Sequence, residues 1–409
     1  MKKGRDLLMA KRYKKDKSKS KLFLSIGISV LLLFVIAGVF YIYHSVNKYN
    51  ERKKQEIEQK KAEEEEKKKE EADKEKNEDT TPVVTTPIVE ETNIILSAVG
   101  DSTIGTDPKF YHATSLPAMV QQNNNDPSYL FSNVAHIFKE DDITIANLET
   151  TFTTATEKRD KGHKVQYHFK GDPELASSLV SASIEGVNLS NNHIYDYGQK
   201  GFDDTIDTLE NLNVNYFGEG YKWVTEAKGI KFGFLGYQGW AASDSLLKTI
   251  KNDIESLKKE VDIVVVSFHW GIERETTPNE LQKTLAHYSI DNGADLIIGH
   301  HPHVIQGIEY YKGKYINYSL GNFCFGGNSN PTDKDTYIFQ ADFKFKDKKL
   351  SSVGIRVIPC SVSSVKNRND YRPTPLAGDE KLRLLDRINS YKMNLDFELT
   401  DSFQYVDIQ

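Results

Sequence analysis

From Asn93 onward the chain repeats one pattern. Short runs of apolar and β-branched residues end in Gly, Asn or a charged residue, and several are separated by segments of helical period. The runs are Ile94–Val99, Ile143–Asn147, Gly186–Ser190, Val214–Gly218, Ile230–Gly236, Val261–Phe268, Ala294–Ile298 and Tyr315–Leu320. Residues 199–212 place Phe202, Ile206, Leu209 and Leu212 on one helical face. Residues 279–291 form a second helix, with Pro278 as a first-turn residue and Gly293 as the stop. Strands alternating with helices predict an α/β protein built on buried sheets. The run VDIVVVSF has no polar alternation, as expected of a strand covered on both faces. Beyond about residue 336 strict alternation sets in (TYIFQADFKF, then SSVGIRVIPC), which predicts a closing antiparallel segment rather than a second domain.

The first 92 residues follow other patterns. Leu22–Tyr43 is a run of 22 residues without a charge. At about 1.5 Å per residue it spans a hydrocarbon core of roughly 30 Å. A cleaved signal peptide is the alternative, but the run exceeds the usual h-region and no A-x-A site follows it. Residues 1–21 hold ten Lys/Arg against two Asp, so the positive-inside rule puts that tail in the cytoplasm and the body outside. Residues 50–79 are almost wholly Glu, Lys, Gln and Ala with no apolar stripe. They read as a solvated helical spacer, and Thr80–Thr92 as an extended linker. The expected organisation is a cytoplasmic tail (1–21), a single-pass membrane anchor (22–43), a spacer and linker (44–92) and one folded body (93–409). That body has a motif core at 94–330 and a β-rich extension at 331–409.

Charge sharpens this division. The net charge of −6 is the sum of a +8 tip, a −2 spacer and a −12 body, which argues against a nucleic-acid partner. Two cysteines, Cys324 and Cys360, exclude a disulfide framework and a Cys-rich zinc module, and both are expected free and buried.

The candidate chemistry sits where the apolar runs end. Five of them lead into Gly100-Asp101, Leu148-Glu149, Asn191-Asn192-His193, His269-Trp270-Gly271 and Gly299-His300-His301-Pro302-His303. C-terminal strand ends form the ligand crevice of open α/β sheets. Gly-Asp alone is a common turn, Asn-Asn-His alone can be a helix cap, and a lone His269 can be a core histidine. Three His in four residues after an apolar strand have little structural rationale. Together the residues suit a divalent metal centre, with carboxylates able to bridge two ions and mixed N/O ligation that leaves Mn, Zn, Fe or Mg open.

The ordered motifs GD, NLE, SNNHxxDxG, HWGxE, GADLIIGHHPH and YSLGNF resemble those of the CapA family of bacterial capsule (poly-γ-glutamate) synthesis proteins, relatives of the calcineurin-like metallophosphoesterases. The resemblance covers roughly residues 94–330. It implies an α/β, layered αββα sandwich of the metallo-dependent phosphatase type, holding one or two divalent metal ions. Carried over residue by residue, it makes Asp101, Glu149, Asn192, His269, His301 and His303 the metal ligands, with Glu149 in the bridging position. His193 is the acid that assists the leaving group, and Asp101 shares the catalytic role. His300, Asp196, Glu273 and Asn322 stand behind these, and His168 lies in a further motif. One departure is plain: where the superfamily reads D-x-H, this chain reads Asp101-Ser102-Thr103, and His112 is too far along to replace the missing histidine by motif. The implied partners are the membrane, a cell-envelope polymer such as poly-γ-glutamate and other capsule synthesis subunits. Two functions follow: a metal-dependent hydrolase, or a non-catalytic metal-binding accessory of polymer synthesis or export. A sensor is disfavoured by a cytoplasmic tail of only 21 residues.

Overall fold

The computed structural model describes residues 91–407, so the expected membrane anchor, spacer and most of the linker lie outside the described residues. Among the described residues no helix is long and apolar enough to cross a membrane.

Among the described residues seventeen strands are formed. They are β1 Glu91–Thr103, β2 Ile143–Leu148, β3 Thr151–Phe152, β4 Lys170–Gly171, β5 Gly186–Asn188, β6 Asn215–Phe217, β7 Trp223–Ala227, β8 Ile230–Gly239, β9 Ile263–Trp270, β10 Leu296–His300, β11 Ile308–Tyr311, β12 Lys314–Asn317, β13 Asn322–Phe325, β14 Asp335–Lys346, β15 Lys349–Ser361, β16 Thr374–Pro375 and β17 Gln404–Asp407. The main helices are α1 Leu116–Gln122, α2 Ala135–Phe138, α3 Ser177–Ala182, α4 Gly198–Asn211, α5 Asp244–Leu257, α6 Glu280–Asp291 and α7 Gly378–Ser390.

One sheet runs β16-β15-β14-β1-β2-β5-β6, with β13 also paired to β1 and β17 to β15; the other runs β11-β12-β10-β9-β8-β7. Their inner faces share one core. Ile94, Leu96, Ile145, Phe339 and Ile355 of the first sheet meet Phe232, Phe234, Val265 and Ile298 of the second. The outer face of the first sheet packs on α1, α3 and α4 through Val99, Ala146, Leu148 and Val187. The outer face of the second packs on α5 and α6 through Val264, Val266, Phe268 and Ile297. The result is four layers, helix–sheet–sheet–helix. Strand β9 is buried at all eight positions, alternating Val265 inward and Val264 outward, which is why its sequence shows no polar period.

The alternating segment after residue 336 closes the first sheet as expected. β14 pairs antiparallel with β1 from Glu91↔Lys346 to Ala98↔Phe339 and with β15 along its other edge. Tyr337, Phe339, Ala341, Phe343 and Phe345 all point into the inter-sheet core, each large ring contributing about 1.5–3 kcal/mol of burial. The extension is not all β, since α7 buries Leu384, Leu385 and Ile388. Helix α6 departs from expectation at its start. Asn279, not Pro278, sets it: Asn279 Oδ1 accepts the Gln282 N–H at 3.0 Å, and Gln282 Oε1 accepts the Asn279 N–H at 3.0 Å. Pro278 precedes this capping box.

Candidate metal centre

Parallel pairing fixes which residues meet at the strand ends. In the first sheet Asp101 of β1 registers with Asn147 of β2, Asn147 with Asn188 of β5, and Asp101 with Asn322 of β13. In the second, His269 of β9 registers with His300 of β10 and with Gln238 of β8. The β1–β13 approach is close enough to require glycine: a Cβ on Gly100 would lie 2.0 Å from the Gly321 carbonyl oxygen. Past β10 the chain turns sharply, and His301 (φ 98°) and His303 (φ 57°) both adopt positive φ. Strained backbone of this kind at non-glycine residues collects at functional sites.

The two sheets bring the expected ligands together. Two groups of donor atoms form, Glu149–His269–His301 and Asp101–Glu149–His303, each within 4.8 Å, and Glu149 belongs to both. His269 Nε2 is 2.8 Å from Asn192 Oδ1 and 3.6 Å from Glu149 Oε1. His303 Nδ1 lies 3.2 Å from Asp101 Oδ2, and its Nε2 3.8 Å from Glu149 Oε1. Donors sharing a cation at about 2.0–2.2 Å are separated by such distances. His300 is buried with Nδ1 3.8 Å from Asp101 Oδ1. Asn322 Oδ1 contacts His303 Nδ1 at 3.0 Å, and Glu273 sits in the exposed loop after β9. His112 stands exposed on a short 3-10 turn and belongs to neither group. His168 is apart from both: its Nε2 meets the Arg159 carbonyl at 2.7 Å and its N–H donates to Asp107.

The donors fit a cation. Both carboxylate oxygens of Glu149 are buried without a hydrogen-bond partner, as are Nδ1 of His300 and His301. Leaving such groups unpaired costs about 1–3 kcal/mol each, a cost a cation at the carboxylate would offset.

Electrostatics sort the groups by partner. Burial pushes the Glu149 carboxyl well above its usual range, with Asp101, Glu273 and Asp196 adding to it against the pull of His303. Asp101 is equally buried, yet the hydrogen bond and charge of His303 hold its carboxyl well below the usual range. Burial opposes charge on His303, but Glu149 and then Asp101 outweigh it and raise the imidazole to about 10. Burial and neighbouring histidines push His269 well down, His300 falls to about 4 and His301 to about 3, so these three are neutral with lone pairs to give.

The Asn-Asn-His motif divides its labour. Asn191 is structural, donating to the Leu148 carbonyl at 2.9 Å and accepting the His193 N–H at 3.1 Å. Asn192 projects to His269. His193 Nδ1 meets Asp196 Oδ2 at 2.6 Å, and that same oxygen accepts the Phe169 N–H at 2.7 Å.

Three participants, Asn188, Lys161 and Trp240, escape the sequence motifs, and Asn147, the first residue of NLE, takes a role that the motif did not assign. Asn188 Nδ2 donates to Asn147 Oδ1 at 2.9 Å, and Asn147 Nδ2 donates to Asp101 Oδ1 at 2.8 Å, a ladder across three strands that orients Asp101. Lys161 pairs with Asp196, and its ammonium lies 3.2 Å from His193 Nδ1. Trp240, immediately after β8, is half-exposed with its ring 4.8 Å from that of His301. The asparagines stand at strand ends in the sequence, a usable signal, but nothing local marks Lys161.

Comparison with known proteins gives the family. The model of the family "Bacterial capsule synthesis protein PGA_cap" matches residues 95–327, more than half the chain. The chain is 35% identical over 217 residues to the PGA biosynthesis protein CapA of Bacillus subtilis, covering 48% of this chain and 56% of that one. It is 31% identical over 274 residues to the capsule biosynthesis protein CapA of Bacillus anthracis, covering 61% and 64%. It thus spans under two thirds of the length of either relative. A putative 5'-nucleotidase of Staphylococcus aureus is similar at TM-score 0.39 and 15% identity, covering 73% of this chain and 58% of that one. Ligand-type strand ends, a shared carboxylate and a matching family model converge on one assignment: the chain belongs to the bacterial capsule synthesis protein PGA_cap family.

Proposed function

We propose that the body is a metal-dependent phosphoester hydrolase acting in assembly of a cell-envelope polymer such as poly-γ-glutamate. The supporting observation is Glu149, fully buried, without a hydrogen-bond partner and common to two donor groups. Asp101, Glu149 and His303, the last on giving up the proton that the two carboxylates hold on it, would hold one divalent cation, and Glu149, Asn192, His269 and His301 a second. Such a centre supplies Lewis acidity toward a phosphoryl oxygen and lowers the pKa of coordinated water. The chain's own groups do the rest. The Asn188–Asn147 ladder fixes Asp101. Asp196 holds His193 through Nδ1, leaving Nε2 as the nitrogen that protonates the departing oxygen. Burial lowers the His193 pKa and Asp196 counters it, as suits a group that must give up its proton.

In the same reading residues 22–43 anchor the chain in the membrane with the tail inside and the body outside, supported by the uncharged run and the +8 tip. The names of the Bacillus relatives support the polymer. A second reading, a non-catalytic metal-binding accessory, is favoured by Thr103, which stands where the superfamily has a histidine ligand and whose hydroxyl is buried without a partner. Turnover of 4-nitrophenyl phosphate and its bis-ester by the full chain with Mn²⁺ or Zn²⁺ separates the two. Turnover lost in His269→Ala with the fold retained supports the hydrolase. Bound metal without turnover refutes it in favour of the accessory.

A further inference from the structure

Beside the donor cluster lies a cavity of about 540 Å³ reached by His193 and His303. One side is an aromatic shelf. The Phe169 ring lies 4.4 Å from that of His193, and Tyr167, Phe110 and Phe325 flank Phe169 at 6.3–6.4 Å between centroids. The shelf thus runs from the proposed proton donor out to solvent. At its mouth Tyr111 is 76% exposed and Tyr167 45%, and the Lys109 ammonium lies 3.8 Å from the Tyr167 ring centroid, so the sugar would take the opposite face of that ring. The remaining lining is rich in neutral hydrogen-bonding groups, among them Thr114, Asn328, Ser329 and Thr332. Apart from the cluster's own histidines, its charged groups are Arg274 against Glu273 and Asp333, which does not favour a run of carboxylates or a second phosphate.

The far wall comes from outside the stretch matched by the family model, which ends at residue 327. It is held rigidly. Asn369 Nδ2 donates to the carbonyls of Phe325 (2.9 Å) and Asn328 (3.0 Å), and the Asn369 N–H to that of Ser329 (2.8 Å). Tyr371 donates its hydroxyl to the Thr114 carbonyl, and Arg387 of α7 pairs with Asp333 at 2.7 Å. The C-terminal extension therefore shapes a cavity adjoining the cluster, which gives those residues a role beyond closing the sheet.

Aromatic faces beside neutral hydroxyls and amides suit one ligand chemistry well: a sugar ring, whose C–H faces pack on aromatic rings while its hydroxyls hydrogen-bond. We propose that this cavity binds the neutral glycosyl group of a sugar phosphate, with the ring on the Tyr167–Phe169 shelf and the phosphoryl group at the donor cluster. The proposal rests on the phosphoester reading of that cluster.

Saturation-transfer NMR for the sugar and nucleoside protons and isothermal titration calorimetry for the affinities, both on the full chain with Mg²⁺, test it, using α-D-glucose 1-phosphate, inorganic phosphate, methyl α-D-glucoside and AMP. The expected result is saturation of the sugar ring protons and tighter binding of glucose 1-phosphate than of phosphate. Tyr111→Ala/Tyr167→Ala, two exposed positions, should weaken glucose 1-phosphate at least tenfold and leave phosphate unchanged. Equal binding of the two phosphates, equal weakening of both in the variant, or tighter binding of AMP overturns the glycosyl assignment. If neither phosphate compound responds to EDTA, the phosphoester reading fails. Saturation of methyl glucoside that is lost in the double variant then still upholds the sugar subsite, and its absence in the parent overturns it.

Discussion

Asp101 and Glu149 are carboxylates in the same cluster with opposite energetics, and neutralising each by one atom exposes the difference. Asp101 accepts from Asn147 Nδ2 at 2.8 Å and the His301 N–H at 3.2 Å and pairs with His303 at 3.2 Å. Its lowered pKa means its charge stabilises the fold above the ordinary value of 3.8, a contribution lost as pH falls through the folded value. Asp101→Asn breaks a buried charge pair at a cost of about 3–5 kcal/mol. In a body of this size, at roughly 2 °C per kcal/mol, Tm falls by about 6–10 °C at pH 7.5 without metal. Glu149 has no hydrogen-bond partner, and its pKa is raised, so the sign reverses. Its favourable contribution is complete below the ordinary 4.5 and is lost as pH rises through the folded value. Glu149→Gln, which resembles the protonated form, should leave the metal-free Tm at pH 7.5 unchanged or higher. Excess Mn²⁺ at about 100 times Kd stabilises the parent by about 2.7 kcal/mol, roughly 5 °C, and this gain should vanish in Glu149→Gln. Differential scanning calorimetry of EDTA-treated and Mn²⁺-loaded samples reads all of these. A metal-free Glu149→Gln protein that loses as much Tm as Asp101→Asn would refute the reasoning, since Glu149 would then be paid for inside the protein and not by a cation.

Three further outcomes follow from the same contacts. His193→Ala should lower kcat about 10²–10⁴-fold with metal content unchanged, checked by steady-state kinetics and elemental analysis. Lys161→Met removes an ammonium 3.2 Å from His193 that depresses its pKa, so the alkaline limb of the kcat–pH profile should move to higher pH; no movement would deny Lys161 influence over His193. Asn279→Ala opens the α6 capping box and should cost about 1 kcal/mol, a fall of about 2 °C in Tm with kcat unaltered.

Much of the fold was legible because burial writes itself into the chain. VDIVVVSF lacks a polar period because β9 is covered on both faces, and TYIFQADFKF alternates because β14 turns Phe339 and Phe343 into the core. The candidate site was legible where a strand end carries a ligand-type residue: Asp101, Glu149, Asn192, His269, His301 and His303 all arrive at one cluster or its edge. Asn147 and Asn188 stand in the predicted strand runs as ordinary polar ends, and only cross-strand register turns them into a ladder to Asp101. Lys161 lies 32 residues from His193, in an irregular stretch whose course no local pattern sets. The cavity wall is set by Asn369 and Arg387, which act through tertiary contacts to a loop some 40 to 55 residues earlier, and by Tyr371, whose hydroxyl reaches Thr114, 257 residues earlier. The edges of elements moved for a physical reason too: β8 and β9 run on to Gly239 and Trp270 because parallel pairing continues to Gly239↔Trp270 past the apolar run.

The central claim is that Glu149 joins two cation positions. Electron paramagnetic resonance of the full chain titrated with Mn²⁺ tests it most directly. The account predicts an exchange-coupled Mn²⁺ pair at two equivalents that disappears in Glu149→Gln. An isolated six-line Mn²⁺ spectrum at every loading, or a coupled pair that survives Glu149→Gln, would contradict it.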